Sequence, residues 1–325
     1  MNQNSCILAF PGQGSQYVSM SNNFKSCPEA VLLFAHADKI LETSLSEIMQ
    51  SGPVDALTLT KNAQPAIVLH SYLYWLKVKP LLAKMGFTID AVLGHSVGEF
   101  SALLVANTLN LEQALTLTQY RGLMMQEAVP LGVGSMFAIL RVPSDIVNIA
   151  CREVSNDQWV VVPANYNTPE QIVISGHKEA CLLAIEWLEK NFNGRLRTVE
   201  LNVSAPFHSP LMKPAEEKFA EKITKIPIQP NQIAYYANIN AKKYDVGTTS
   251  EKIKSNLVSQ ISGSVLWDQS VQKFPPNHKI IEIGPGKILQ GMLKKSLPMA
   301  KIFSLDQGLH LDEELKLLEQ WLQVD

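Results

Sequence analysis

The sequence is short of cysteine, of clustered positive charge and of long apolar runs, and each shortage excludes a class of function. Its four cysteines, Cys6, Cys27, Cys151 and Cys181, are widely scattered. No C-x-x-C pair is present to hold zinc or run dithiol chemistry, so they read as buried thiols in a reducing cytoplasm. Lys and Arg number 28 and Asp and Glu 30, a net charge of -2 with no basic cluster. Nothing here suits nucleic acid or an anionic membrane surface. No stretch reaches membrane-spanning length, and residues 1–10 lack both a charged n-region and a long apolar h-region. The expectation is a soluble cytoplasmic protein that meets no membrane. What is present is apolar mass: 46% of the 325 residues are hydrophobic, enough for a large core in one big domain or a big one plus a small one.

One stretch stands apart, Val92-Leu93-Gly94-His95-Ser96-Val97-Gly98-Glu99-Phe100. An apolar run meets Gly-x-Ser-x-Gly and passes into what reads as a helix, the nucleophile-elbow pattern. A serine at the tip of so tight a turn sits in strained backbone, and glycines flank it because Cβ atoms would not fit there. Ser96 is then the candidate nucleophile. Its hydroxyl needs a base elsewhere in the chain and amide donors for an oxyanion, one of them the N–H of Val97 at the helix N-terminus.

Residues 6–10 read as a buried first strand ending in the glycine-bearing loop 11–16, which either cradles an anion or simply turns the chain. The loop has no lysine followed by Ser or Thr, so a nucleotide site is not indicated. Apolar spacing predicts one or two helices within 30–49, a long buried helix over 64–85 and another over 111–128. Arg121 lies on the apolar face of the last. An inward arginine needs an anionic partner, which a neighbouring acid supplies as readily as a ligand; a snorkelling stem is the third possibility.

After the 130–134 break the pattern changes. Strands are expected at 135–140, 159–162, 171–174 and 196–203, with helices over 144–154 and 179–191. That β-α-β-β-α-β order is the ferredoxin-like arrangement. The expectation is a small ferredoxin-like domain, 133–203, inserted into a large catalytic domain made of 1–132 and 204–325. Strand-like segments at 233–236, 279–283 and 301–303, with helices between, argue that the large domain is α/β-hydrolase-like, a mostly parallel sheet covered on both faces. His208 sits where the chain returns, in Ser204-Ala205-Pro206-Phe207-His208-Ser209-Pro210. Packing does not explain an imidazole in this proline-bracketed segment, which makes His208 the candidate general base. His36, His70, His177, His278 and His310 stand alone, and no pair has metal-ligand spacing.

The set Phe10-Pro11-Gly12-Gln13-Gly14-Ser15-Gln16, Gly94-His95-Ser96-Val97-Gly98-Glu99, Arg121-Gly122, the run 165–176, Phe207-His208-Ser209, Gln260 and Glu282-Ile283-Gly284-Pro285-Gly286 runs in order over nearly the whole chain. It closely resembles the malonyl-CoA:acyl carrier protein transacylases and the free-standing acyltransferases of polyketide synthases. The resemblance implies that Ser96 takes a malonyl group from coenzyme A, that His208 is its base and that the amides of Gln13 and Val97 form the oxyanion hole. It implies that Arg121 pairs with the malonyl carboxylate and that the Gln260 backbone carbonyl orients the histidine, so that no triad acid is needed. The implied activity is [acyl-carrier-protein] S-malonyltransferase in polyketide or fatty-acid synthesis. Acyl-CoA and an acyl carrier protein are the implied partners of a monomer, with no metal and no cofactor beyond the coenzyme A thioester substrate.

The strand from 135 to 142 carries Phe137 and Arg141 where relatives tend to have small residues. Met136 and Phe137, with Phe207 before the histidine, are expected to narrow the acyl pocket. An acyl hydrolase of the same fold, clearing stalled acyl groups from carrier proteins, would use the same Ser96 and His208. A general α/β-hydrolase esterase would need an acid between the serine and the histidine in chain order, and none is well placed. A scaffold that only docks carrier proteins would not need Ser96, His208 and Arg121 together.

Overall fold

The computed structural model describes residues 4–130 and 132–324. The expected domain ends at residues 1 and 325, and Leu131 in the 130–134 break, lie outside the described residues. In chain order the strands are Ser5–Phe10 (β1), Thr88–Gly94 (β2), Gly134–Leu140 (β3), Val161–Thr168 (β4), Gln171–His177 (β5), Arg197–Glu200 (β6), Tyr235–Tyr236 (β7), Lys243–Tyr244 (β8), Lys279–Glu282 (β9) and Lys301–Ser304 (β10).

They form two sheets. The larger runs β10-β9-β1-β2-β7-β8 and is parallel except for β8. Its central strand β1 reads SCILAF and is buried along its whole length, as a strand covered by helices on both faces must be. The smaller sheet runs β4-β5-β3-β6 and is antiparallel, with the helices Ser144–Val154 and Lys178–Asn191 between its strands in sequence. This mixed α/β layout is the fold class the sequence led us to expect.

Alternation along β3 gives the small sheet two different faces. Phe137 and Ile139 join Val147, Ala180 and Ala184 in a core of their own, whereas Met136 and Ala138 join the main hydrophobic core. The two crossings between the sheets meet, because a Cβ on Gly134 would lie 2.3 Å from Pro206 Cγ.

The boundaries that differ from the sequence expectation include those of three elements. The long buried helix spans Thr60–Lys84, starting before Gln64 because the amides of Asn62 and Ala63 donate to the Leu59 carbonyl; its polar first turn carries no apolar spacing. Strand β4 spans Val161–Thr168 rather than 159–162, since Asn165, Tyr166 and Thr168 continue the pairing with β5 across irregularities at Ala164 and Asn167. Strand β6 stops at Glu200, and Leu201, Asn202 and Val203 leave the sheet to line the cavity over Ser96.

Helices Thr60–Lys84 and Leu111–Gln126 cross at Gly122, where an added Cβ would sit 2.5 Å from the Thr60 carbonyl oxygen. Only glycine permits that approach, and it sets the neighbouring Arg121 beside Gln64. No helix among the described residues is long and apolar enough to cross a membrane.

Candidate active site

β2 ends at Gly94, and the next helix, Gly98–Val105, starts so soon that the turn between them has no spare room. A Cβ on Gly94 would lie 1.9 Å from the Gly98 carbonyl carbon, and one on Gly98 would lie 2.2 Å from the Phe10 oxygen. The serine between them is forced to φ 51°, left-handed backbone that costs an L-residue about 1–2 kcal/mol. The conformation is held from outside: the Ser96 amide donates to Asn238 Oδ1 at 2.7 Å, and Asn238 Nδ2 donates to the Gly94 carbonyl at 2.7 Å.

Ser96 Oγ lies 2.7 Å from His208 Nε2. The histidine is itself at φ 57°, in the irregular segment where the chain returns from the small sheet. Its other nitrogen, Nδ1, lies 2.8 Å from the Gln260 carbonyl oxygen and 3.2 Å from that of Gly263. With Nδ1–H donating to main-chain carbonyls, Nε2 is left as the acceptor facing the serine. Burial, and then the nearby Arg121 charge, pull His208 down to about 3, so the imidazole is neutral at physiological pH and able to take a proton.

Arg121 is 1% exposed. Its Nη1 donates to Gln64 Oε1 at 2.8 Å, and its Nη2 donates to Gln260 Oε1 at 2.9 Å and to Ser96 Oγ at 3.2 Å. The sequence left three partners open for this arginine: a neighbouring acid, a ligand, or solvent around a snorkelling stem. The structure excludes solvent and supplies neutral oxygens. Burial lowers Arg121 to about 9 against the opposing pull of Glu99, so it stays charged at neutral pH.

The loop 11–16 is pressed against the elbow, since a Cβ on Gly12 would lie 2.5 Å from the His95 carbonyl oxygen. Gln13 lines the cavity, and Val97 is fully buried at the N-cap of the elbow helix. Among the described residues, no main-chain carbonyl accepts from the amide of Gln13 or of Val97.

The cavity over Ser96 measures about 250 Å³ and is lined by Gln13, Gln64, Arg121, Met125, Met136, Asn165, Leu201, Val203, Phe207 and His208 among others. Met136 and Phe207 face it as expected. Phe137 does not: one step along β3 turns its ring to the opposite face, into the small sheet's own core. Arg141, at φ 66° past the end of β3, borders a separate surface groove.

Sequence reasoning passed over Glu99, Gln64 and Asn238. Glu99 is 1% exposed in a helix whose every residue is buried, and burial pushes its carboxyl up to about 7. Its signal was visible as a lone acid in the otherwise apolar turn that follows Gly98. Gln64 and Asn238 carry no such mark, because a single amide is unremarkable on a helix or loop.

The acyl transferase domain family matches residues 8–305. The chain belongs to this family. A malonyl CoA-acyl carrier protein transacylase from Bacillus subtilis (strain 168) is 40% identical over 289 residues, covering 88% of each chain. One from Staphylococcus aureus (strain MSSA476) is 38% identical over 309 residues, covering 92% of this chain and 94% of the relative. Among solved structures, the acyl-carrier-protein-S-malonyltransferase of Bartonella henselae superposes with a TM-score of 0.87 at 32% identity, over 99% of this chain and 100% of the other. A malonyl-transacylase solved in complex with its type II PKS acyl-carrier protein superposes with a TM-score of 0.85 at 32% identity, over 95% of this chain and 98% of that one. In this acyl transferase the side chains of Ser96, His208 and Arg121 meet at the elbow.

Proposed function

We propose that the chain moves a malonyl group from coenzyme A, through an ester on Ser96, to the phosphopantetheine thiol of an acyl carrier protein. The observation that carries this reading is the buried, charged Arg121 guanidinium, set 3.2 Å from Ser96 Oγ and ligated by neutral amide oxygens. A diacid thioester bound for attack at Ser96 brings a carboxylate to that charge, and a guanidinium pairs with a carboxylate through two parallel hydrogen bonds. The relatives that match over most of the chain support the same substrate.

In the first half-reaction His208 Nε2 takes the Ser96 hydroxyl proton as Oγ attacks the thioester carbonyl carbon. The oxyanion is received by the Gln13 and Val97 amides. The C–S bond breaks, and His208 returns the proton to the departing thiolate. The second half-reaction runs in reverse, with the carrier-protein thiol as nucleophile. Thioesters of similar energy stand on both sides, so the exchange needs neither ATP nor a metal. Losing one oxyanion donor in such a site costs about 10²–10³ in rate.

The division of labour we favour places the chemistry in 1–132 and 204–325 and gives 133–203 the task of keeping water off the ester. The enzyme acts as a monomer in the cytoplasm, where the carrier protein reaches it. The test is to incubate the protein with malonyl-CoA, measure the mass added to Ser96, and then chase with holo carrier protein. Stable malonyl-Ser96 that passes to the carrier thiol is the expected result. Release of free malonate in place of transfer, or clearance of acetyl groups from the carrier protein without a malonyl ester, rejects it in favour of hydrolysis.

A further inference from the structure

Arg121 poses an electrostatic problem. A buried guanidinium without compensation is costly, yet a direct ion pair with a protein carboxylate would occupy the edge that the substrate needs. The structure does neither. Gln260 Oε1 accepts from Arg121 Nη2 at 2.9 Å, while the same amide's Nε2 donates to Glu99 Oε2 at 2.6 Å. Its acceptor end faces the cation and its donor end faces the acid, so the amide dipole lies along the field between them. A further bond from Gln260 Nε2 to the Ser96 carbonyl, at 3.1 Å, fixes the amide against the elbow. The Asn238 amide also donates to Glu99 Oε2, at 3.1 Å, which holds the acid on the far side.

The geometry points to the Gln260 side chain, backed by Glu99, as a specificity-determining positioning pair: it links Arg121 to a buried carboxyl at one remove, so that no protein carboxylate takes the place of a substrate carboxylate at the guanidinium. This role is separate from that of the Gln260 main chain, whose carbonyl accepts from His208 Nδ1. One residue therefore serves the proton relay through its backbone and acyl selection through its side chain, and substitution separates the two. Glu99 makes no hydrogen bond with Arg121 or Ser96 Oγ; its Oε2 accepts from Gln260 Nε2 and from the Asn238 amide.

The inference rests on the malonyl-transfer reading, and its test keeps the two apart. Rates of Ser96 loading from malonyl-CoA and from acetyl-CoA are measured by mass for wild type, Arg121→Ala, Gln260→Glu and Gln260→Leu. Gln260→Glu sets a carboxylate directly against the guanidinium, and the malonyl-to-acetyl ratio of kcat/KM should fall by about 100-fold. Gln260→Leu removes the relay without adding charge, and the ratio should fall by about 10-fold, mostly through KM for malonyl-CoA. Equal losses for both acyl groups, leaving the ratio unchanged while Arg121→Ala collapses it, overturn the proposal and spare the malonyl reading. An unchanged ratio in Arg121→Ala overturns that reading itself. Should Gln260→Glu fail to fold, Gln260→Leu decides the matter on the same ratio.

Discussion

The large sheet enters the cavity through strand ends and loops held in backbone that side chains resist, with Ser96 and His208 both at positive φ. The small sheet enters through ordinary extended chain: Met136 on the face of β3, Asn165 on β4, and Leu201 and Val203 just past the end of β6. On one side atoms are held by main-chain contacts, and on the other a wall is made of side chains. On the proposed function, chemistry should therefore be fragile where the large sheet builds it, and acyl fit adjustable where the small sheet does.

The contrast breaks most sharply at the histidine. His208→Ala should lower acyl loading by about 10⁴-fold or more, read as the rate of mass gain on Ser96. A loss under tenfold would mean that another group takes the proton. Next comes the elbow backbone. Gly98→Ala drives a Cβ to 2.2 Å from the Phe10 oxygen and should cost about 3 kcal/mol or more, seen as a fall in denaturation midpoint; a variant of wild-type stability would show that the turn is not tight.

A subtler effect concerns pH. The folded-state value of His208 is lowered, so its base form persists as pH falls. With the imidazole held near 3, kcat/KM for loading from malonyl-CoA should decline less than tenfold between pH 7 and 5. An unperturbed histidine, titrating near 6.5, would lose about 25-fold over that range. An acid limb at 6.5 would show that His208 is open to solvent in the working enzyme.

The smallest effect belongs to the wall. Met136→Ala should shift the preference between short and long acyl chains by about three- to tenfold. Phe137→Ala should leave acyl preference alone and instead cost about 3–5 kcal/mol of stability, as a buried aromatic does. If the two variants exchange these effects, the facing of β3 is the reverse of that described.

The sequence made the elbow legible because a Gly-x-Ser-x-Gly between an apolar run and a helix has few steric solutions. It made His208 stand out because nothing around it needed an imidazole. The order of elements in the small sheet could be read because apolar periodicity changes where one sheet gives way to the other, whereas in the large sheet β8, two residues with no apolar run, went unseen. What escaped was polar and local. β4 was displaced because the polar residues Asn165 and Thr168 pair with β5 without looking like strand residues. Phe137 was turned the wrong way because a strand's facing changes with a single step, and composition does not fix that parity. Glu99, Gln64 and Asn238 were missed because their work depends on what lies opposite them, and no local pattern records that.

The imidazole of His208 leans on main-chain carbonyls at Gln260 and Gly263, and a carbonyl is present whatever codon stands at those positions. The support of the base is thus invisible to side-chain scanning and belongs to the path of the chain. That path is strapped to the small sheet, where Val265 exchanges main-chain bonds with Ala164 and Tyr166, and Ser264 Oγ donates to the Pro163 carbonyl. Lesions in the histidine's orientation should therefore map genetically to β4, in a different sheet from the one whose chain carries the residue they impair.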